Sequence, residues 1–175
     1  PAAGQGSYLA CRAPKETMTD VRVEEAIVAV KRLFLEVFER GKVDLVDEIL
    51  TEDFRFQYPF PGFAPGPEGI KEFTKVFHRA FGDFQVEIHE IFGGRVDDKA
   101  LVTIRWTLRG THGEPFLGAT PTGAYVTVHA IGIYVWGEHK KLQSGWLELN
   151  SHSLLHQLGV LPSIEDLLPG LRGQK

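Results

Sequence analysis

The fold is decided by one stretch, ALVTIRWTLRGTHGEPFLGATPTGAYVTVHAIGIYVW (residues 100–136). Both ends of the stretch are rich in Val, Ile and Thr at strand-like spacing, which predicts two long β-strands. The middle, residues 111–123, is rich in Gly, Pro and Thr and predicts a loop between them. The second strand is apolar on both faces, so we expect both of its faces to be buried.

The remaining elements lie on either side of this pair. Residues 84–92 (FQVEIHEIF) and 141–150 (KLQSGWLELN) predict two further strands, each joined to the pair by a short turn. Upstream, residues 19–40 and 66–81 repeat apolar side chains every three or four positions, as amphipathic helices do. Helices followed by strands with tight turns predict an α+β fold. We expect a curved antiparallel sheet that the N-terminal helices wrap into a cone-shaped pocket, an α+β barrel.

Composition excludes several classes of function. The chain has 175 residues and a net charge of −4, and no block of Lys or Arg marks a nucleic-acid partner. No apolar run approaches the roughly 20 residues that cross a bilayer, so we expect no membrane association. Cys11 is the one cysteine, which leaves no internal disulfide and no thiolate cluster. A cytoplasmic location fits this cysteine usage best.

The chain divides into three parts by pattern. Residues 1–18 are expected to be a leader outside the core, because Met18 directly precedes the first helical pattern and would make a natural start. Residues 19–162 carry the cone domain, and residues 163–175 form a tail. The sequence leaves open what the leader and Cys11 do.

An aromatic, proline-rich stretch, DFRFQYPFPGFAPGPEG (residues 53–69), precedes the second long helix. Proline disfavours helical geometry in the residue before it, so this path is stiff and extended. The stretch is either a connecting loop or the mouth of a pocket. In the second case Gln57 and Tyr58 would hydrogen-bond a ligand oxygen, and Phe60 would form an aromatic lip with Phe63.

Three blocks of the sequence resemble the SnoaL-like polyketide (ester) cyclases of the nuclear-transport-factor-2-like superfamily. They are FPGFAPGPEGIKEF (60–73), VTIRWTLRGTHGEPFLGATPTG (102–123) and LLHQLGVLP (154–162). The resemblance implies a deep cone pocket for an apolar small molecule, homodimers built on the open sheet face, and neither metal nor organic cofactor. Cyclases of this kind close a ring by aldol condensation, with a pocket carboxylic acid exchanging protons with the substrate.

The last strand departs from the family pattern. Ser144 and Asn150 stand where relatives usually carry acids, and neither titrates usefully near neutral pH. Glu148 is the acid that remains, and it shares a strand face with Ser144, Trp146 and Asn150. If this face looks into the cone, burial would raise the pKa of Glu148 and suit it to general acid or base work. The alternative is a solvent-exposed or ion-paired carboxylate.

Other candidates carry the same choice between a pocket role and a structural one. His129 would be a proton carrier in the pocket or a hydrogen-bonded histidine of the sheet. Arg105 and Trp106 point to opposite faces of their strand: Arg105 would pair with a carboxylate, whereas Trp106 and Trp146 would be pocket or core walls. His152 and His156 share a helix face, but no further ligand lies near them, so no metal site is expected.

Three hypotheses of function follow from these residues. In the leading one, the protein is a cofactor-free enzyme in which His129 and Glu148 transfer protons while Gln57, Tyr58 and Asn150 orient an apolar substrate. In the second, it binds a small molecule without catalysis, and Ser144, Asn150 and Gln57 only hydrogen-bond the guest. The third is an epoxide-hydrolase-like site, for which Arg105 is present but no suitable pair of Asp residues.

Overall fold

The computed structural model of the chain describes residues 20–168. Its α+β architecture confirms the predicted fold class, a curved five-stranded sheet with helices packed on one face. The predicted leader with Cys11 and the last residues of the predicted tail lie outside the described part. Within that part, no helix has the length and apolar character that crossing a membrane requires.

Two long helices close the cone. Helix α1 (Val21–Arg32) begins at Asp20, whose carboxylate accepts the N–H of Arg22, and continues as a π-helical segment, Leu33–Phe38. The short helix α2 (Val46–Ile49) leads into the first strand. Helix α3 (Gly66–Ala80) begins at the prolines of the aromatic stretch and buries its apolar face against the sheet.

The sheet contains β1 (Leu50–Gln57), β2 (Gln85–Val96), β3 (Lys99–Thr111), β4 (Tyr125–Trp136) and β5 (Leu142–Leu149). Their order is β1-β5-β4-β3-β2. The four later strands form the expected antiparallel meander. Strand β1 differs, since it pairs in parallel with β5 at the edge of the sheet. The two helical segments that follow β5 are α4 (Ser151–Gln157) and α5 (Ile164–Leu167).

The two faces of the sheet have different surroundings. The concave face packs on the helices and carries the core residues of β3 and β4: Val102, Ile104, Trp106, Leu108, Val126, Val128, Ala130 and Tyr134. The convex face is open, and Ile131 and Ile133 are 45% and 38% exposed there. Within residues 20–168 the expectation that β4 is buried on both faces is therefore wrong, because the described helices cover one face only.

Strand β2 contains a β-bulge at His89. Ile88 pairs with Trp106 and Glu90 pairs with Arg105, so His89 is an extra residue between two neighbouring pairs. A bulge of this kind leaves its residue unpaired and re-aims the side chain. His89 and Glu90 consequently both lie on the convex face, and the alternation resumes beyond them.

Candidate functional site

The candidate site is a cavity between the concave face of the sheet and the helices. The cavity is small, with a volume of ≈ 10 Å³. That is about the room that one water molecule needs. The walls are aromatic and aliphatic apart from one hydroxyl and one indole N–H: Phe38, Phe73, Thr74, Phe77, Phe84, Trp106, Leu108, Leu147 and Leu149.

Helix α3 supplies one wall of the cavity, since Phe73, Thr74 and Phe77 lie on its buried face. The position of the helix depends on Gly69, where the chain passes very close to the preceding loop. A Cβ at Gly69 would lie 1.8 Å from the carbonyl oxygen of Ala64. Only glycine permits this close approach of two backbones, and it thereby fixes where the wall stands.

Trp106 supplies the opposite wall from β3 and is 2% exposed. Its Nε1–H is buried and has no hydrogen-bond partner among the described residues. Its ring packs edge-to-face against Phe34, with the centroids 5.0 Å apart. The other polar group of the lining is Thr74 Oγ1, which donates to the carbonyl oxygen of Ile70 at 2.9 Å. The polar atoms of both side chains are buried, so the surface that the cavity offers to a guest is apolar.

Two tyrosines lie on the same side of the sheet. Tyr134 is fully buried and Tyr58 is half-buried, and neither hydroxyl has a hydrogen-bond partner in the described chain. Burial raises the pKa of both phenols, so both are neutral at physiological pH. Gly132 and Gly145 make room for Tyr134, because a Cβ on either glycine would lie within 2.9 Å of its ring.

The aromatic stretch before α3 packs into the core and forms no open lip. Phe60 is 8% exposed, and its ring packs edge-to-face against that of Phe116 with the centroids 5.8 Å apart. Phe63 packs against Phe73 at 5.1 Å. Tyr58 contacts the ring of Phe73 at 5.6 Å, which places it behind the cavity wall. Gln57, next to it, is exposed at the end of β1.

The expected catalytic pair lies on the convex face, away from the cavity. A proton-transferring role for Glu148 requires its face of β5 to look into the cone, but in the structure this face is the outward one. Leu147 and Leu149 take the inward positions, because burying aliphatic side chains is favourable and burying a carboxylate is not. His129 is likewise exposed on the outward face of β4, between the buried Val128 and Ala130.

The outward side chains have partners of their own. Thr107 Oγ1 lies between two imidazoles, 3.0 Å from His129 Nδ1 and 2.6 Å from His89 Nε2. A hydroxyl can donate one hydrogen bond and accept two, so the direction of each of these contacts depends on the tautomer of the ring. On β5, Trp146 Nε1 donates to Glu148 Oε1 at 2.9 Å. Both members of the expected catalytic pair, His129 and Glu148, therefore form hydrogen bonds with side chains of the sheet on its outward face.

The remaining candidates also lie outside the cavity. Arg105 forms a two-point ion pair with Glu90 across β2 and β3, and its hydrogen bond lowers the pKa of that carboxyl. Asn150 ends β5 as the N-cap of α4, where its side chain accepts the N–H of Ser153. Ser144 is half-buried on the outward face of β5. Of the predicted site residues, Trp106 alone lines the cavity.

One buried histidine was missed by the sequence prediction. His112 is fully buried directly after β3, and its ring lies tilted against that of Phe81 with the centroids 5.6 Å apart. Its Nδ1 lies 3.2 Å from Thr122 Oγ1, and its Nε2 has no described partner. Two backbone hydrogen bonds hold His112 at the far end of the 111–123 loop: its N–H donates to the carbonyl oxygen of Ala124, and its carbonyl oxygen accepts the N–H of Gly123. Its position next to the turn-rich loop was the available signal, since polar residues commonly anchor such loops.

The histidines of α4 do not form a metal site with other side chains. The rings of His152 and His156 stack with their centroids 6.4 Å apart. Between residues 20 and 168, no three His, Cys, Asp or Glu side chains come together as metal ligands would.

The sequence and the fold of the chain are similar to those of known proteins. Residues 28–158 match the protein family described as SnoaL-like polyketide cyclase. A candidate polyketide cyclase from Bacillus cereus is 26% identical, with a TM-score of 0.64 over 79% of this chain and 83% of that one. TsrD from Streptomyces laurentii is 26% identical, with a TM-score of 0.63 over 77% and 97%.

A candidate SnoaL-like polyketide cyclase from Jannaschia has a TM-score of 0.69 over 82% of this chain and 97% of that one. Its identity of 21% shows a shared fold. No curated protein matches the chain.

Proposed function

The chain belongs to the SnoaL-like polyketide cyclase family, and from this premise we propose that it binds an apolar small molecule in the cone cavity without transferring protons to it. The observation that carries the proposal is the composition of the lining. None of its nine residues has a carboxylate, an imidazole or an amine. Concave apolar enclosures with few polar groups are the usual sites of small-molecule binding.

The position of the titratable residues supports binding over catalysis. A general acid or base has to be within hydrogen-bond reach of the proton that it moves, directly or through one water. His129 and Glu148 are on the far side of the sheet from the cavity, so the backbone separates them from a guest. An epoxide-hydrolase-like reaction lacks support for the same reason, because the lining contains no Asp and Arg105 points outward.

Binding to the cavity is tested with fluorene, a neutral flat hydrocarbon, and its ketone 9-fluorenone in equilibrium dialysis. We expect at least one of them to bind at a single site. Leu147→Phe should weaken this binding at least tenfold, because the larger ring fills the cavity, while thermal unfolding shows that the variant folds. Ile133→Phe makes the same change on the convex face and should leave binding unaltered. If neither compound binds the wild-type protein, the proposal fails.

We also propose that two copies of the chain pair through the convex sheet face. Ile131, Ile133 and Trp146 form an apolar strip along β4 and β5, and Trp146 is 48% exposed. Contiguous exposed apolar strips mark interaction surfaces. A second copy would bring the same strip to the same place, as a two-fold contact requires.

A further inference from the structure

We propose that His89 and His129 form a two-histidine site for a divalent transition-metal ion, such as zinc, on the convex face of the sheet. The two residues belong to β2 and β4, and both rings contact the side chain of Thr107 on β3 between them. The site lies on the opposite face of the sheet from the cone cavity. The proposal therefore stands whether or not that cavity binds a guest.

One ring nitrogen of each histidine faces the same atom. Thr107 Oγ1 lies 2.6 Å from His89 Nε2 and 3.0 Å from His129 Nδ1, so the two nitrogens are no further apart than the sum of these distances. Two nitrogens on one zinc ion lie about 3.3 Å apart, because each Zn–N bond is about 2.0–2.1 Å long and the ligands are tetrahedral. A closure of about 2 Å at most, by rotation of the side chains, puts both nitrogens on one ion.

The bulge in β2 brings the ring of His89 to this place. Thr107 pairs with Glu87 in β2 and with His129 in β4, and His89 is the extra residue without a pair of its own. A bulge re-aims the side chain of its extra residue and is common next to functional sites. Here the ring of His89 reaches back to Thr107, so a second imidazole stands beside that of His129.

The surroundings of His89 suit the tautomer that binds a metal. Its other nitrogen, Nδ1, lies 3.8 Å from Glu87 Oε1. Metal-binding histidines commonly direct their second N–H group at a carboxylate, which orients the ring. A proton on Nδ1 leaves the lone pair of Nε2 for the ion. His129 is exposed, so its proton can reside on Nε2 in contact with water while Nδ1 becomes the second ligand.

The neighbouring carboxylates are held by arginines and leave the two imidazoles as the ligands. Glu87 forms an ion pair with Arg109, and Glu90 forms one with Arg105. In the described part of the chain no third His, Cys, Asp or Glu joins the site. Imidazole ligands suit zinc, copper and nickel ions, and water fills the remaining positions. If two copies pair through this face, the second copy brings its own two histidines, and four imidazoles match the tetrahedral ligand set of zinc.

The test is a calorimetric titration of the full chain with zinc chloride at neutral pH. We expect one ion per chain, or one per two chains if a pair of copies shares it. His89→Gln and His129→Gln should each weaken the binding by roughly tenfold or more, because a single imidazole cannot chelate. Zinc should also raise the melting temperature of the wild type and of neither variant, since a ligand of the folded state stabilises it.

His152→Gln on α4 is the matched control. His152 and His156 are the other pair of neighbouring histidines, with ring centroids 6.4 Å apart. This variant should bind zinc as the wild type does. The proposal is overturned if the wild type binds no zinc at millimolar concentration. It is equally overturned if His152→Gln abolishes the binding while His89→Gln and His129→Gln retain it.

A second readout needs no variant that folds. Copper(II) is paramagnetic and broadens the ¹H–¹⁵N signals of amides close to it, and imidazole sites bind it at least as well as zinc. Less than one equivalent of copper should remove the backbone signals of His89, Thr107 and His129 first. Signals of α4 that disappear first would instead place the ion at the other histidine pair and overturn the proposal.

Discussion

Gly145 has no side chain in the middle of β5 because aromatic rings occupy the place where a Cβ would be. A Cβ there would lie 2.8 Å from two ring carbons of Tyr134 and 2.9 Å from Phe56. Tyr134 is fully buried, so it has little room to move. We expect Gly145→Ala to lower the free energy of unfolding by about 1–3 kcal/mol, as overpacking does. Urea denaturation measures this difference.

The matched control is Gly94→Ala in β2. A Cβ at Gly94 meets no atom within 4 Å, so the substitution should be neutral or slightly stabilising. If Gly145→Ala and Gly94→Ala are equally stable, the concave face has room for a methyl group beside Tyr134, and the prediction is wrong.

Asp83 should make the stability depend on pH in acid. The N–H and the hydroxyl of Thr111 both donate to its carboxylate, the hydroxyl at 2.8 Å, and they lower its pKa below the ordinary value. The ionised form is therefore favoured by folding. Its contribution is present above the unfolded-state pKa of about 3.9 and is lost as the pH falls through the lower folded-state pKa.

The measurement is the free energy of unfolding of the wild type and of Asp83→Asn as the pH is lowered. Wild type should be the more stable protein at neutral pH, and the difference should shrink as the pH falls below about 4. A difference that stays constant down to pH 2 would show that ionisation of Asp83 makes no contribution. Thr111→Val, which keeps the backbone donor and removes the hydroxyl, should lie between the two.

Because His89 is the extra residue of the bulge in β2, we expect the strand to tolerate its deletion. Ile88 faces inward and Glu90 faces outward, so removing His89 leaves a regular alternation with both neighbouring pairs intact. We expect the deletion variant to fold and unfold cooperatively. Its loss of stability should be about 1 kcal/mol, because the hydrogen bond between His89 and Thr107 is gone. Circular dichroism with thermal melting checks this.

Deletion of Thr103 from β3 is the contrasting control. Thr103 pairs in register with Phe92 on one side and Ile133 on the other, with no bulge to absorb a missing residue. Its removal turns part of the strand over and exposes core side chains. This variant should not fold cooperatively. If both deletions fold equally well, the bulge has no special role in the register of the sheet.

The sequence predicts where the strands and helices lie along the chain, but it does not predict which face of each strand packs against the helices. Alternation predicts a strand with two different faces and leaves open which face the helices cover. In β5, Trp146 made one face look apolar, while Leu147 and Leu149 made the other face apolar too. The choice depends on how the strand packs on α1 and α3, which is a long-range property. His129 was misplaced for the same reason.

The cavity lining was partly available from the sequence of α3. The periodicity of that helix predicted a buried face containing Phe73 and Phe77, and both line the cavity. The free N–H of Trp106 was not predictable, because the absence of a partner is a property of the folded surroundings. The parallel pairing of β1 with β5 also depends on a contact between distant parts of the chain.

At the scale of the whole molecule, the proposed pairing through the convex face predicts a dimer. Sedimentation velocity should give twice the mass of one chain for the wild type. Ile131→Glu places a charge in the middle of the exposed apolar strip and should shift the protein to monomers, while its circular dichroism stays unchanged. Val28→Glu, at an exposed apolar residue of α1, is the control and should leave the dimer intact. A monomeric wild type would contradict the proposal.

The small open volume of the cavity also sets the speed of uptake. A flat guest cannot enter a space with room for one water until the rings of its walls, among them Phe77 and Phe84, have turned aside. The open form is then a minor state, and the apparent affinity is reduced by the fraction of molecules that occupy it. At high ligand concentration the observed association rate should level off at the rate of opening. Under these conditions the rate of uptake would depend on how often the protein opens and no longer on the ligand concentration.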